Sequence, residues 1–264
     1  METPKVSILY KDDDLVAVYK PAGVKMHRAS GDRRRQIYML QETRGLTGRK
    51  VFPVHRLDQP TSGVLLFAFS SEMARLLVDR FRQQLVFKRY VAVVRGFVAP
   101  AGTIDYSLVP NAYETKKDQT PKPAVTDYER LATAELPIPL APFSTCRYSL
   151  VAVYPRTGRM HQIRRHFHHI SHPVIGDTAY GDGRHNRLFR ERFGCHRLLL
   201  ACASMALAHP ITGALLLFHG PLAPSMQNVF VNMGWPQLHL EPPATYPKEI
   251  KCRYPFLETI CDRS

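Results

Sequence analysis

Short stretches with the two-residue alternation of β-strands recur along this chain, and helical periodicity interrupts them only at irregular intervals. VSILY and LVAVYK, separated by an acidic turn from Lys11 to Asp14, read as a hairpin. VFPV and VLLFAF follow, with HRLDQPTSG between them as a polar connection between buried pieces of sheet. KRYVAVVRG, ending at Gly96, and CRYSLVAVYP add two strands; RLLLACASMALAH and ALLLF, joined by the turn from Pro210 to Gly213, read as a late hairpin. Three helices are expected among them. SSEMARLLVDRFRQQ has a serine cap, Glu72 in its first turn and Met73, Leu76, Leu77 and Phe81 on one face. TGRMHQIRRHFHHI opens after Thr157 and Gly158, with Met160, Ile163, Phe167 and Ile170 on one face and Arg159, His161, Arg164, Arg165 and His168 on the other sides. The last begins near Pro224 and uses Leu222, Met226, Val229, Phe230 and Met233. A doubly wound protein would alternate strand and helix regularly, so the expected class is α+β with a mixed, largely antiparallel sheet and flanking helices.

At 264 residues the chain is long enough to bury a core without disulfide or metal staples, and 45% hydrophobic with 22% charged residues is a globular composition. One folded domain is expected over 1–235, followed by an extension over 236–264 that holds five prolines. The imbalance lies in sign: 36 Lys and Arg against 22 Asp and Glu give a formal charge of +14, with 12 histidines besides. Such a charge suits a polyanion. No apolar run approaches the ~18 residues of a spanning helix, so nucleic acid is favoured over a membrane. Residues 22 to 50 carry a cationic run (Lys25, His27, Arg28, Arg33, Arg34, Arg35, Arg44, Arg49 and Lys50), which taken alone reads as a solvated loop and short helix. Five cysteines without a CxxC pair, and an N-terminus without a signal-peptide core, point to a reducing cytoplasm.

Several chemistries find no support. His161, His166, His168, His169 and His172 crowd one segment, but HExxH is absent and only His168 and His172 have i,i+4 spacing, just before Pro173. Ser62 lies near His55 and Asp58 without a GxSxG elbow. Walker-type and dinucleotide glycine loops are missing as well, so no metal, ATP, NAD or flavin is expected. What remains is one aspartate, Asp58, amid arginines on a basic chain.

At that point the residues resemble a family. HRLDQPTSG matches HRLDxxTSG, the signature of RluA-type pseudouridine synthases, at every fixed position. YKPAG (19–23) is similar to the family's NKPAG opening with Tyr19 in place of Asn, and KRYVAVVRG to its KxYxAxVxG block. TGRMHQIRRHF (157–167) and HPVIGD (172–177) are similar to its TGRxHQIRxH and HPIxGD pair. The resemblance runs from about Val6 to about Trp235. PKPAVTDYERLAT and the segment from Gly181 to Leu200 look most like the tRNA-modifying subgroup C, although Ala201 stands where a histidine is expected.

The resemblance implies the pseudouridine synthase fold with a basic active-site cleft over 1–235, without an S4 RNA-binding domain. It implies isomerisation of uridine in RNA without a cofactor, in tRNA at position 65, in the T-stem next to the acceptor stem. A ribosomal RNA synthase of the same chemistry, or a non-catalytic RNA-binding protein that kept the fold, are the alternatives; no obligate protein partner is implied. Asp58 is the catalytic carboxylate, Arg164 the cation beside it, and Tyr90 the tyrosine that stacks on the base and could assist removal of the C5 proton. Arg56 fills the space of the extruded base, and Ile163 closes the other face of the pocket. The residues alone also allow a turn-stabilising Asp58, an ordinary strand tyrosine at 90 and a surface helix charge at Arg164.

Overall fold

The computed structural model describes residues 5–28, 37–110, 119–235 and 254. In chain order these form β1 (Ser7–Lys11), β2 (Leu15–Lys20), α1 (Met39–Thr47), β3 (Phe52–Pro53), β4 (Ser62–Ala68), α2 (Ser71–Arg82), β5 (Phe87–Arg95), β6 (Ala101–Asp105), β7 (Val125–Leu136), β8 (Cys146–Pro155), α3 (Gln162–His169), α4 (Gly183–Phe193), β9 (Leu200–Ala208), β10 (Leu215–His219) and α5 (Pro224–Asn232). Most of the extension, and Arg33 to Arg35 of the cationic run, lie outside the described residues. The described chain divides into two compact units, one built from residues up to 88 with 202–223, the other from 89–201 with 224–235.

In the first unit β1 and β2 form the expected hairpin, β2 pairs antiparallel with β4, and β9 and β10 form the late hairpin beside β4. β4 is buried along its whole length and β2 nearly so, which explains runs of apolar residues in place of clean alternation. Their register sets Lys20 opposite Gly63, at the entry to β4. Gly63 has φ 121°, and a Cβ there would lie 2.1 Å from the Cys202 carbonyl oxygen, so only glycine lets β9 come this close. α2 starts at Ser70, whose hydroxyl accepts from the Met73 N–H. It buries Met73 and Leu77, whereas Leu76, expected on the same face, is exposed. Tyr254, in the extension, packs edge-on against Phe87.

The second unit holds the antiparallel order β5-β8-β7-β6. Ala92, Val94, Val151 and Val153 of its sheet pack with Ile163 and Phe167 of α3, and Tyr90, Tyr128 and Ile170 lie against the same cluster. The helix starts at Gln162, later than the periodicity suggests, because residues 157–161 are spent on a turn. His161 takes a left-handed φ of 55°, and the Gln162 side chain accepts from Thr157 Oγ1 (2.6 Å) and the Arg159 N–H (3.0 Å). Met160 therefore lies outside the helix. Among the described residues no helix is long and apolar enough to cross a membrane.

Candidate active site

Residues 55–61 lead from β3 into β4 and carry Asp58, half-buried, and Arg56, exposed. The Thr61 N–H donates to the Asp58 carbonyl at 3.0 Å, closing a turn directly after the aspartate. The β2–β4 register brings a buried lysine to this turn: Lys20 Nζ donates to the carbonyls of Thr61 (2.8 Å), Gln59 (3.0 Å) and Pro21 (3.1 Å). Those carbonyls replace the water that a buried ammonium would otherwise lack. A second tie joins the same pieces, since the Gly23 N–H donates to the Gln59 carbonyl (2.8 Å) and Gln59 Nε2 to the Gly23 carbonyl (3.1 Å). YKPAG thus grips the chain on the C-terminal side of Asp58.

On the N-terminal side the grip is His55. Its Nε2 accepts the Leu66 N–H at 2.9 Å, and its ring stacks on Phe81 with centroids 4.7 Å apart. Burial, then the nearby Lys88 charge, push its pKa down to about 3. The imidazole is therefore neutral, and since Nε2 accepts, the proton sits on Nδ1. Asp58 is bracketed by fixed points on both sides.

In the second unit Tyr90 lies on β5 opposite Val153, against the cluster that contains Ile163. Gln162 fixes the start of α3 a second way by donating to the Val125 carbonyl (3.0 Å) and Thr126 Oγ1 (2.9 Å). Arg164 is 5% exposed, so the surface-charge reading fails. Its Nε donates to Asp177 Oδ2 at 2.7 Å and its Nη2 to Oδ1 at 2.8 Å, a two-pronged buried pair, and the Tyr180 ring lies 5.3 Å from the guanidinium carbon. Asp177 is held in turn by the N–H groups of Ala179 (2.9 Å) and Tyr180 (3.1 Å), and Asn186 bridges the Asp177 carbonyl to the Gly176 N–H. Burial by itself would raise the Asp177 carboxyl. The hydrogen bonds and charge of Arg164, with those two N–H groups, outweigh it and hold it below the usual carboxylate value.

Of the residues singled out by sequence, Arg56 and Asp58 sit in the first unit and Tyr90, Ile163 and Arg164 in the second, with Tyr90 and Ile163 meeting in one cluster. Lys20, His55, Gln162 and Asp177 were not assigned roles from sequence, although each lies inside a quoted motif. The crowded histidines each have separate engagements: His161 Nδ1 lies 3.1 Å from the Tyr180 hydroxyl, His168 Nδ1 2.7 Å from the Tyr180 carbonyl, and His172 Nδ1 2.7 Å from the Arg95 carbonyl. Arg44, Arg49 and Lys50 line a concavity of about 490 Å³, and Arg49 stacks on Phe69 at 3.9 Å. Arg184, Arg187, Arg190 and Arg192 lie on the exposed side of α4.

Comparison with known proteins agrees with this architecture. The RNA pseudouridylate synthase family model matches residues 14–169, which include the Asp58 loop, β5 and α3. The chain belongs to that family and is an RNA pseudouridine synthase. It is 44% identical over 243 residues to tRNA pseudouridine synthase C of Yersinia pestis, covering 89% of this chain and 95% of that protein. It is also 44% identical over 235 residues to tRNA pseudouridine synthase C of Haemophilus ducreyi, covering 88% and 97%. Among solved structures, human RNA pseudouridylate synthase domain containing 1 superposes with a TM-score of 0.65 at 26% identity, over 86% of this chain and 89% of that one. The α+β, largely antiparallel fold expected from the sequence is the fold of these relatives.

Proposed function

We propose that the chain isomerises uridine to pseudouridine in tRNA, in the cytoplasm, at position 65 in the T-stem beside the acceptor stem. The observation that carries this reading is the half-buried carboxylate of Asp58 on a loop gripped by His55 before it and Lys20 after it. The reaction is redox-neutral. The bond from C1′ to N1 breaks, the base turns, a bond from C1′ to C5 forms, the C5 proton departs and N1 takes up a proton. Atoms and electrons balance without a cofactor. What the exchange at C1′ needs is an ionised group acting as nucleophile or electrostatic partner, and Asp58 supplies it. Arg164 is the cation assigned to this chemistry, its own fork fixed by Asp177. Tyr90 stacks on the base and Ile163 covers the other face, and the exposed Arg56 fills the space that base extrusion leaves.

The tRNA substrate is supported by the names of the relatives, and the T-stem position by the subgroup resemblance. A-form RNA hides base edges in a deep major groove, so a site at a helix junction is chosen by shape, 2′-hydroxyls and phosphates. Tritium release from C5-labelled RNA tests the reading. Intact tRNA is expected to react, an isolated T-arm stem-loop poorly and ribosomal RNA not at all; Asp58→Asn is expected to stop turnover while RNA affinity stays within about tenfold. Measurable turnover by that variant would overturn the role of Asp58, and reaction on ribosomal RNA alone would overturn the substrate.

A further inference from the structure

Resting on the reading of the chain as an RNA-modifying enzyme, we propose that Tyr106 and the outer side of α3 form a second RNA contact. There an unstacked nucleobase flanking the target lies on the Tyr106 ring, and Arg159 and Arg165 hold its phosphates. Tyr106 directly follows β6. Its N–H donates to the Ala124 carbonyl (3.1 Å), and Leu108 and Lys122 exchange two backbone bonds of 2.9 Å, so the β6–β7 hairpin continues past its named strands. Main-chain bonds thus fix where the ring stands. On one side it lies parallel to His169 of α3, with centroids 3.6 Å apart and planes 15° apart, and its carbonyl meets His166 Nε2 at 3.0 Å.

The tyrosine is nonetheless 44% exposed, whereas Tyr148 and Tyr154 of the same unit are 0% and 5% exposed. His169 can cover only one face of the ring. An aromatic stacked on one side and still 44% exposed offers a platform for a planar group, and its surroundings select which one. Arg165 Nη1 donates to the Val109 carbonyl (2.9 Å) and Arg159 Nε to the Pro123 carbonyl (3.2 Å), which anchors both guanidinium groups beside the hairpin. Each guanidinium carries five donors, so one such bond leaves capacity for phosphate. Among the described residues of these segments, Lys122 and the exposed His168 add to the cationic side, and the carboxylate is Asp105, directly before the tyrosine. Aromatic faces set among cations are the recognition surface for single-stranded nucleic acid, where every base offers a π-face whatever its sequence. Position agrees, because Arg165 follows Ile163 and Arg164 on α3, and extruding one uridine loosens the stacking of its neighbours.

The test measures binding of fluorescently labelled tRNA alongside tritium release. Tyr106→Ala should weaken tRNA affinity roughly 5- to 100-fold and raise KM to match, without altering the salt dependence of binding, because stacking releases no counterions. Arg165→Ala should instead lower the slope of log affinity against log salt by about 0.7 to 0.9. Tyr106→Trp should bind as well as the wild type, and its added emission should be quenched by RNA, which also reports that the variant is folded. Wild-type affinity in Tyr106→Ala, or an unquenched Tyr106→Trp, overturns the platform. Binding and quenching need no turnover, so a wild-type protein that bound RNA without isomerising it would sink the synthase reading and leave this one to be judged by itself.

Discussion

Replacing Asp177 with asparagine keeps the outline of the side chain and removes the counter-charge of a guanidinium that is 5% exposed. One terminal atom can still accept from Ala179, Tyr180 and Arg164 Nη2. The other becomes an amide donor facing the Arg164 Nε–H, where Oδ2 now accepts at 2.7 Å. A charge-assisted bond turns into a donor–donor contact and the buried cation loses its two-pronged carboxylate, which costs about 3–5 kcal/mol. Against a total stability of roughly 5–15 kcal/mol the loss is large. With a urea dependence of about 2 kcal/mol per molar, the unfolding midpoint should fall by roughly 1.5–2.5 M. The single tryptophan, Trp235, belongs to the same unit and lies 5.8 Å from the Phe230 ring, so its fluorescence reports this transition.

Two further measurements separate the pair's charge from its packing. Arg164→Met combined with Asp177→Asn removes both charges, keeps an acceptor for the Ala179 and Tyr180 N–H groups, and should recover part of the stability that Asp177→Asn alone loses, since a methionine needs no counter-ion. The pH dependence has a defined sign. Arg164 holds the Asp177 carboxyl below its unfolded value. Its contribution is therefore full above that unfolded value, ~3.9, and disappears as pH falls through the lower folded value. The wild-type advantage over the double variant should stay level from pH 7 to about 5 and shrink below about 4. A midpoint for Asp177→Asn within about 0.5 M of wild type, or an advantage unchanged in strong acid, would refute this account of the pair.

Lys20→Met strips the donor from the carbonyls of Pro21 and Thr61, while that of Gln59 keeps the Gly23 N–H, so a loss of about 2–6 kcal/mol is expected in urea unfolding. A loss under about 1 kcal/mol would mean that water takes the place of the ammonium. His55, neutral when folded with a pKa near 3, cannot follow the unfolded chain in taking up a proton below ~6.5. Stability should therefore fall by up to ~1.4 kcal/mol per pH unit as pH drops through that window, and His55→Gln, which keeps an acceptor for Leu66, should flatten the decline; parallel profiles would contradict it. Gly63→Ala drives a methyl into the Cys202 carbonyl and should destabilise by about 4 kcal/mol or more, so near-normal unfolding would show that β4 and β9 can separate at little cost.

How much of this fold shows in the sequence depends on whether burial leaves a period. The strands β2, β4, β5, β8 and β9 announce themselves because most of their residues are buried and apolar. β7 does not, because most of its twelve residues are half-buried and polar groups such as Thr126 sit inside it. α4 escapes a search for apolar spacing for a related reason: its buried positions are His185, Asn186 and Phe189, two of them polar. Its ends were readable all the same, since the Asp182 carboxylate caps the Arg184 N–H and Gly194 closes the helix with a left-handed φ of 59°.

The candidate site is legible by motif and opaque by pattern, and α3 shows why. Apolar spacing sends Arg164 to an outer side, yet the helix buries Gln162, Arg164 and His166 along with Ile163 and Phe167. A periodic reading cannot tell a solvated arginine from a paired one when the pairing carboxylate stands thirteen residues away, beyond the helix. The same blindness covers Lys20, which reaches carbonyls 39 and 41 residues further on. These distances explain why the motif blocks occur as they do: YKPAG supplies the lysine that grips the Asp58 turn, and HPVIGD supplies the carboxylate that grips Arg164. In each pair one block presents a side chain proposed for the chemistry and the other fixes it from a separate stretch of chain. A substitution in a holding block therefore acts through geometry, and restoring the charge pattern alone cannot repair it: Lys20→Arg keeps the cation but cannot place a planar fork among three carbonyls arranged for an ammonium.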